Sequence, residues 1–319
     1  MNTNLDIVVP LHNEAENLNR LLTALEAELG KASTGRHAVG AYRVILVDDG
    51  SQDATWSHIR QAAASATVCG IRLSRNFGKE AAIRAGLELS SADRVLVMDG
   101  DLQHPPALIG AMLEAMDRSS CDLVSAVRVG RQGQGPIRAL GSKLFGALFS
   151  RMAGMDLAAQ TDFKLLSRPA VDRYCALGER RLFFRGLTRW LGLHETRVEF
   201  TVPDVPGSRS TWSTSALTRY AVRNITAFST VPLQFVLWSG VLSLLFSAAL
   251  IVQTLANKFW GRASEGFSTA IIATSFFGGL TLLGLGIVGI YVAALYDEVK
   301  GRPRYQIAES AGLEFPKTR

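Results

Sequence analysis

Short apolar runs alternate with amphipathic segments through the first half of the chain. Residues 5–9, 42–47 and 94–98 are apolar runs of strand length, and residues 69–73 are a weaker one. The segments between them, such as residues 79–89, space their apolar side chains three or four positions apart, as on one face of a helix. Strands that alternate with helices are typical of a parallel sheet covered by helices, so the pattern predicts an α/β fold.

The last third of the chain differs because it is strongly apolar. Residues 231–255 and residues 267–296 carry no charged side chain. Each run exceeds the roughly 20 residues that a helix needs to cross a bilayer core of about 30 Å. The linker 256–266 is short, so we predict two transmembrane helices that form a hairpin. The alternative is a pair of helices buried in a soluble domain, where uncharged runs of this length are rare.

Basic side chains flank this hairpin. Arg219 and Arg223 precede the first apolar run, and Lys300, Arg302 and Arg304 follow the second. Because positively charged flanks stay in the cytoplasm, we expect a multi-pass protein of the cytoplasmic membrane with its soluble part and both termini in the cytoplasm. The N-terminal residues lack the basic and apolar regions of a signal peptide, which agrees with this expectation.

These features divide the chain into four expected parts. The segment 213–229 has basic and apolar side chains on different faces, as in a helix that lies on a membrane surface. We therefore expect a soluble domain at 1–212, a juxtamembrane amphipathic helix at 213–229, two transmembrane helices within 230–298 and a cytoplasmic tail at 299–319.

Composition excludes some classes of function. The net charge is +6, and the basic side chains are spread along the chain. A nucleic-acid-binding protein usually concentrates its charge on one face, so nucleic acid is not an expected partner. Cys69, Cys121 and Cys175 stand far apart and match neither a disulfide nor a metal-ligand pattern. They are expected to be reduced thiols of a cytosolic compartment.

An acidic turn follows one of the predicted strands. Asp99, Gly100 and Asp101 come directly after the run 94–98. In parallel sheets ligands bind beyond the carboxyl ends of the strands, so both carboxylates are expected in one crevice, with a glycine that permits a tight turn. Hard divalent cations take one or two carboxylates and complete their shell with substrate phosphates. The alternative is a solvated turn, but the position at a strand end favours Mg²⁺ or Mn²⁺ bound by Asp101, with Gln103 adding a carbonyl oxygen.

Two further strand ends are expected at the same edge of the sheet. Asp48 ends the second strand, where a carboxylate is well placed to hydrogen-bond a base or a ribose. Pro10 ends the first strand, and residues 11–14 open a helix, so their backbone can line the same pocket. A glycine-rich basic loop at 130–136 is either a connector or a lid that orders over bound substrate.

Four motifs stand at or near the ends of the predicted strands. They are Val-Pro-Leu-His-Asn-Glu at 9–14, Asp-Asp-Gly-Ser at 48–51, Arg-Asn-Phe-Gly-Lys-Glu at 75–80 and Met-Asp-Gly-Asp-Leu-Gln-His-Pro-Pro at 98–106. This series resembles the motifs of glycosyltransferase family 2, and in particular those of the polyprenyl-phosphate glycosyltransferases. The similarity continues through residues 161–166, residues 183–187 and the two apolar runs.

The resemblance implies a GT-A catalytic domain and the inverting transfer of one sugar. The implied donor is a nucleotide-sugar, with a UDP-sugar favoured, and the implied acceptor is a polyprenyl phosphate such as undecaprenyl phosphate. Asp99, Asp101 and Asp162 would be the catalytic residues, although Asp162 would serve either as a base or to hold a loop. Nucleotide-sugar contacts would come from Pro10, His12, Glu14, Asp48, Asp99, Gly100 and Arg128, and the metal ligands would be Asp101 and Gln103.

One segment departs from the family pattern. Between residues 202 and 212 the chain lacks the basic side chains that relatives use near phosphate. Arg131, Arg138 and Arg209 are the candidates to bind the acceptor phosphate instead, because the planar guanidinium binds phosphate through two parallel hydrogen bonds.

Alternatives to this enzyme function remain. The altered segment is compatible with a membrane-tethered pseudoenzyme or scaffold. A processive polysaccharide synthase is disfavoured, because the stretch 186–190 lacks the glutamine of that motif and two spans are few for a secretion channel. Self-association through the hairpin is a further expectation, so a homo-oligomer stays open.

Overall fold

The computed structural model describes residues 3–34, 39–129, 160–179, 183–201, 231–260 and 267–313. These residues fall into two compact units. The first contains the residues up to 201 and those from 302 onward, and the second contains the two long apolar helices.

The first unit alternates strands and helices from its beginning. Its strands are β1 (Thr3–Leu11), β2 (Val39–Asp48), β3 (Val68–Leu73), β4 (Arg94–Val97), β5 (Leu123–Arg128), β6 (Gln160–Ser167), β7 (Glu195–Phe200) and β8 (Ile307–Ala311). Its helices are α1 (Ala15–Thr34), α2 (Thr55–Ala62), α3 (Lys79–Leu89), α4 (Leu108–Ser119), α5 (Arg168–Ala176) and α6 (Phe184–Trp190).

The strands form one sheet in the order β7-β5-β6-β4-β1-β2-β3-β8. Strands β4, β1, β2 and β3 are parallel neighbours, whereas β6 runs antiparallel to both β4 and β5, and β8 runs antiparallel to β3. This mostly parallel sheet with flanking helices confirms the α/β fold expected from the alternating pattern.

The register of the parallel strands brings the motifs to one edge of the sheet. Leu11 of β1 lies beside Asp48 of β2, and Val8 lies beside Val97 of β4. The residues that follow β1, β2 and β4 therefore emerge next to one another, because parallel strands end on the same side.

A leucine stripe on α1 explains why this helix packs on the sheet. Leu18, Leu21, Leu25 and Leu29 have no exposed surface and belong to the same core cluster as Ile7 of β1. Burying each of these side chains contributes about 1.5–3 kcal/mol. The helix is therefore held mainly by its apolar face, as the spacing of these leucines predicts.

Part of the segment that follows the hairpin belongs to the sheet. Residues 299–319 are expected from the sequence to form a tail. In the structure, β8 lies within this segment and pairs with β3. Strand β8 covers the hydrogen-bonding edge that β3 would otherwise expose. The sequence signal for this strand is weak, because Ile307–Ala311 is short and half polar.

The second unit consists of α7 (Val231–Phe259) and α8 (Phe267–Val299). Val231–Asn257 and Phe276–Val299 are long and apolar enough to cross a membrane, and neither is buried inside the protein. Large side chains such as Leu237, Trp238 and Leu244 are more than 60% exposed. Surfaces this apolar mark a membrane or protein contact, and the length and composition of both helices suit a membrane. The segment 213–229 and the loop 130–136 lie outside the described residues.

Two helical glycines in the first unit differ in their surroundings, and this difference yields a test of the packing. A Cβ on Gly86 of α3 would lie 2.3 Å from Val8 Cγ1, whereas nothing lies within 4 Å of a Cβ on Gly110 of α4. Gly86→Ala is expected to destabilise the first unit by about 1–3 kcal/mol through overpacking. A lower midpoint in urea unfolding measures the effect.

Gly110→Ala is the matched control, because it adds the same methyl group at an exposed position inside a helix. Replacing a glycine there is expected to stabilise the protein by about 0.5–1 kcal/mol. Equal effects of the two substitutions would contradict the packing of α3 against β1.

Candidate active site

The acidic turn lies at the end of β4, as expected. Met98 N donates to Val8 O at 3.1 Å, so the pairing with β1 continues up to the turn. A Cβ on Gly100 would lie 2.4 Å from Leu11 Cδ2. The positive φ of the turn falls on Leu102, at 59°, rather than on the glycine. The small volume of Gly100 is therefore what suits the space beside Leu11. The left-handed backbone conformation of the turn is adopted by Leu102, two residues later.

The two carboxylates of the turn have different surroundings. Asp101 is exposed, and its Oδ1 accepts a hydrogen bond from Gln103 N at 3.1 Å. Asp99 Oδ1 is buried and accepts no aligned hydrogen bond from the described residues. No group of three or more His, Cys, Asp or Glu side chains that could hold a metal occurs in the part of the chain that the structure describes. Two carboxylates one residue apart at a strand end nevertheless fit Mg²⁺ or Mn²⁺, which take their remaining ligands from substrate and water.

A buried histidine, His104, packs beside the acidic turn. Asp99 N donates to His104 Nδ1 at 3.3 Å. The imidazole is stacked on Phe163 with ring centroids 5.1 Å apart. Burial lowers the pKa of His104, and the charge of Asp99 opposes this only in part. The ring is therefore neutral near pH 7, and it holds the turn by packing and by accepting this hydrogen bond.

Lys79 joins the acidic turn to β6. Its Nζ lies 2.5 Å from Asp99 Oδ1 and 2.5 Å from Asp162 Oδ2. Burial favours the neutral amine, but the charges of Asp99 and Asp162 outweigh it and raise the pKa of Lys79 above its usual range. The ammonium group is therefore a permanent positive charge between two carboxylates.

Asp162 is engaged on both of its oxygens. Arg185 at the start of α6 donates from Nε to Oδ1 at 2.7 Å and from Nη2 to Oδ2 at 2.8 Å. Although burial opposes ionisation, the hydrogen bonds from Arg185 and the charge of Lys79 hold the pKa of Asp162 well below its usual range. A carboxylate so strongly stabilised as an anion is a weak base. The arrangement therefore favours the alternative that Asp162 holds its neighbours in place.

Glu80 adds a second carboxyl group behind this cluster. It accepts a hydrogen bond from Phe184 N at 2.7 Å. Burial, with a contribution from the charge of Asp162, raises the pKa of Glu80 to about 7. Glu80 therefore links α3 to the first turn of α6, the helix that carries Arg185.

The second acidic turn, after β2, is tied to its neighbours by backbone hydrogen bonds. Asp49 accepts from Phe77 N at 2.7 Å and from Gly78 N at 2.9 Å. Gly50 has φ of 65°, and a Cβ there would lie 2.4 Å from the carbonyl carbon of Arg75. The segment before α3 is thus fastened to the turn after β2, which requires glycine at its tip.

The turn after β1 faces the turn after β2. His12 Nδ1 lies 2.9 Å from Asp49 O, and Asn13 N donates to Ser51 Oγ at 2.9 Å. Asn13 has φ of 56°, a left-handed conformation that asparagine tolerates. Glu14 N donates to Thr55 Oγ1 at 2.9 Å, which ties the start of α1 to α2.

A cleft of about 630 Å³ lies beside the turn after β2. It is also lined by His12 of the turn after β1, by residues 72–76 and by Ala308 and Glu309 of β8. Its size suits a small-molecule ligand. The side chains around it are mostly polar, and they include His12, Ser51, Arg72, Asn76 and Glu309. Hydroxyl, amide and charged groups of this kind match the hydrogen-bonding edges of a nucleoside.

The sequence matches the family described as glycosyl transferase family 2 over residues 6–184, which is more than half of the chain. The chain belongs to glycosyltransferase family 2. The expected family is confirmed, and the mostly parallel sheet with its flanking helices is the GT-A domain of this family member.

Two relatives and one solved structure illustrate the similarity. An uncharacterized glycosyltransferase of Synechocystis sp. is 33% identical over 321 residues, which cover 99% of this chain and 98% of that protein. The SfII prophage-derived bactoprenol glucosyl transferase of Shigella flexneri is 33% identical over 273 residues, which cover 84% and 87%. The crystal structure of mannosyl-3-phosphoglycerate synthase from Rubrobacter xylanophilus is 18% identical with a TM-score of 0.49, covering 70% of this chain and 72% of that chain.

The expected site residues separate into three groups in the structure. One group lies around the acidic turn and the cleft, a second is buried beneath them, and the third lies outside the described residues. The first group contains His12, Asp99, Gly100, Asp101, Gln103 and Asp162, the second contains Pro10 and Asp48, and the third contains Arg131, Arg138 and Arg209. Glu14 lies apart from these groups, directly before α1, where its backbone N donates to Thr55 Oγ1. Arg128 lies at the end of β5, where it is paired with Phe200 of β7.

The structure adds residues that the sequence analysis does not single out. Lys79 and Arg185 lie inside motifs that carry the family resemblance, so their motif position is the available signal. Arg72 follows Gly70 and Ile71 in a weakly predicted strand, and Glu309 lies in the last described segment. Neither Arg72 nor Glu309 has a sequence signal that points to the cleft.

The raised pKa of Glu80 predicts a pH-dependent stability. Because the pKa rises from 4.5 to about 7 on folding, the folded protein binds the proton more tightly. This contribution to stability is fully present below about pH 4.5 and is lost as the pH rises through 7. Glu80→Gln, which keeps an acceptor for Phe184 N, is expected to flatten the decline by up to about 1.4 kcal/mol per pH unit in this window. Urea unfolding between pH 4.5 and 8 measures it.

Glu114→Gln provides the control, because Glu114 is exposed and paired with Arg118 on α4. Its pH profile is expected to follow that of the wild-type protein. A Glu80→Gln profile parallel to the wild type would show that Glu80 titrates at its ordinary pKa.

Proposed function

We propose that the protein transfers a single sugar from a nucleotide-sugar to a polyprenyl phosphate, with inversion at the anomeric carbon. The observation that carries the proposal is the pair Asp99 and Asp101 at the sheet edge that also carries the polar cleft, in a family 2 chain that has two membrane-length helices. The Shigella relative is named for bactoprenol, which supports a lipid acceptor. A UDP-sugar is the favoured donor, and undecaprenyl phosphate is the favoured acceptor.

The chemistry of a phosphate acceptor agrees with the engaged state of Asp162. An acceptor phosphate is already an anion near pH 7, so its oxygen can attack the anomeric carbon without losing a proton first. The bond from that carbon to the diphosphate breaks as the new bond forms, which inverts the configuration. Asp162 is then needed as the anchor of Lys79 and Arg185 rather than as a general base.

The leaving diphosphate requires positive charge nearby. Asp99 and Asp101 would hold Mg²⁺ or Mn²⁺, which would act as a Lewis acid toward the departing diphosphate. Lys79 contributes a fixed ammonium group that contacts Asp99. This ion pair sets the orientation of the Asp99 carboxylate before the donor arrives, and such preorganisation is a main source of electrostatic catalysis.

The acceptor reaches the site from the membrane in this proposal. The basic residues that flank the two apolar helices favour a cytoplasmic soluble unit. Nucleotide-sugars and the phosphate end of the lipid would therefore meet at the cytoplasmic face. A product of this kind suits the glycosylation of the cell envelope.

Asp101→Asn tests the proposed transfer. The substitution removes a metal ligand from an exposed position, so we expect at least a hundredfold loss of turnover, about 2.7 kcal/mol in activation free energy, with unchanged folding. The measurement is the formation of lipid-linked sugar from a panel of UDP- and GDP-sugars, undecaprenyl phosphate and Mn²⁺, using the full chain in detergent.

Asp172→Asn is the matched control, because Asp172 is an exposed carboxylate on α5 that is paired with Arg168. It is expected to leave turnover unchanged. If the wild-type protein forms no lipid-linked sugar from any donor, the proposed function is wrong, and a scaffold that has lost catalysis becomes the better explanation.

Metal removal is expected to abolish this turnover. Without a divalent cation the two carboxylates of the acidic turn repel the donor diphosphate, so transfer should stop in excess EDTA and return with Mg²⁺ or Mn²⁺ but not with Na⁺ at equal ionic strength. Binding of UDP, followed by calorimetry, should weaken in parallel. Full turnover in EDTA after dialysis would show that Asp99 and Asp101 act without a metal.

A further inference from the structure

The strand β8 follows the second apolar helix and pairs with β3 beside the cleft. Arg72 lies opposite Glu309, and Leu73 lies opposite Ile307, so Ala308 is an additional residue between the two pairs. An extra residue of this kind bends a strand and redirects its side chains. Both Ala308 and Glu309 border the cleft, whose other walls are His12, the turn after β2 and residues 72–76.

Glu309 is held by two donors from different elements. Its Oε1 accepts from Arg72 Nη1 at 3.0 Å, and its Oε2 accepts from Trp56 Nε1 at 2.9 Å. These hydrogen bonds, first that from Trp56 and then that from Arg72, lower the pKa of Glu309. The carboxylate is thus ionised and fixed in orientation although it lies at the surface.

Arg72 also contacts the end of β2 and the turn that follows it. Besides Glu309, its guanidinium donates to Ser51 O at 3.0 Å and lies 3.3 Å from Asp48 Oδ2. Asp48 has no exposed surface, and its Oδ1 accepts from Ser51 N at 2.9 Å. Its Oδ2 accepts no aligned hydrogen bond from the described residues. The charge of Arg72 is therefore the main compensation for a buried carboxylate oxygen.

These contacts form one path from β8 to the turn after β2. Glu309 fixes the guanidinium of Arg72, and Arg72 fixes both Asp48 and the carbonyl of Ser51. Ser51 lines the cleft and receives a hydrogen bond from the turn after β1. A shift of Arg72 would therefore change the position of the cleft wall and leave the charge of Asp48 uncompensated.

We infer that Glu309 is a positioning residue for the nucleoside of the donor, so that the strand after the apolar helices completes the donor site. The inference rests on the proposed function in that the occupant of the cleft is taken to be a nucleoside diphosphate. Asp48, which is expected from the sequence to hydrogen-bond a base or a ribose, is buried, and Glu309 acts on its carboxylate through Arg72.

Other contacts hold β8 in place independently of Glu309. Arg304 donates to Glu179 O at 2.9 Å and to Leu177 O at 2.8 Å. Ser74 N donates to Gln306 O at 2.8 Å, and Tyr305 contacts Glu88 through its hydroxyl group. Because these anchors precede Glu309 in the chain, a substitution of Glu309 can change the cleft without detaching the strand.

Glu309→Gln in the full-length protein tests the inference. The substitution keeps the size of the side chain and removes the charge that holds Arg72. Because Arg72 loses the partner that fixes its guanidinium, we expect the Kd for UDP in the presence of Mn²⁺, measured by calorimetry, and the KM for the UDP-sugar to rise roughly three- to fivefold. The kcat and the KM for undecaprenyl phosphate should stay unchanged, and the unfolding midpoint should fall only slightly, as expected for the loss of one exposed ion pair.

A double-substitution cycle shows whether Glu309 acts through Arg72. Arg72→Gln alone should weaken UDP binding more strongly, and adding Glu309→Gln to it should cause no further loss, because the two residues form one path. Glu114→Gln, which also removes an exposed carboxylate paired with an arginine, should bind UDP as the wild type does.

The outcomes separate this inference from the proposed function. An unchanged Kd in Glu309→Gln overturns the inference, as does a fall in unfolding midpoint with unaltered binding or a wild-type protein that binds neither UDP nor GDP. If Glu309→Gln weakens UDP binding while the wild type transfers no sugar to lipid, the inference stands and the proposed function fails.

Discussion

The structure of the site depends on the ammonium group of Lys79 between two carboxylates. Asp99 follows β4, Asp162 lies on β6 and Lys79 opens α3, so this contact joins three elements that are distant in sequence. Buried charges are costly unless they are paired, and removing one partner leaves the others uncompensated. Arg185 extends the pairing to α6 through Asp162. The geometry of the acidic turn is therefore set by a charge network as well as by the strand that precedes it.

How much of this could be predicted depends on whether a feature is local. The turn at Asp99 and Asp101 could be placed because parallel strands end on one edge, and that rule needs only the apolar runs. The contact of Lys79 with Asp162 could not, since it depends on how α3 sits beside β6. Gly100 illustrates the difference. The sequence predicts a glycine that permits a tight turn, whereas in the structure the close approach of Leu11 Cδ2 leaves little room for a side chain. Such contacts arise only when strands have been brought together.

The strand β8 also could not be predicted from local sequence. Ile307–Ala311 is short, follows a long apolar helix and has little alternation of apolar and polar residues, so its sequence gives no strong strand signal. Its pairing is specified by tertiary contacts, which include the hydrogen bonds from Arg304 to Leu177 O and Glu179 O and from Ser74 N to Gln306 O. The sequence predicts a nucleoside pocket at the ends of β1 and β2. In the structure, residues 72–76 and Ala308 and Glu309 of β8 line this cleft as well.

The balance of charge in the acidic half of the site argues for a cation from outside the described residues. Lys79 is paired with Asp99 and Asp162, and Arg185 with Asp162, while Asp101 adds a third, exposed carboxylate to the same turn. A donor diphosphate would add further negative charge at the same place, where burial strengthens repulsion. Under the proposed function, a divalent cation at Asp101 would offset this charge directly. The acceptor phosphate would bring still more negative charge, for which Arg131, Arg138 and Arg209 are the candidate partners in the sequence.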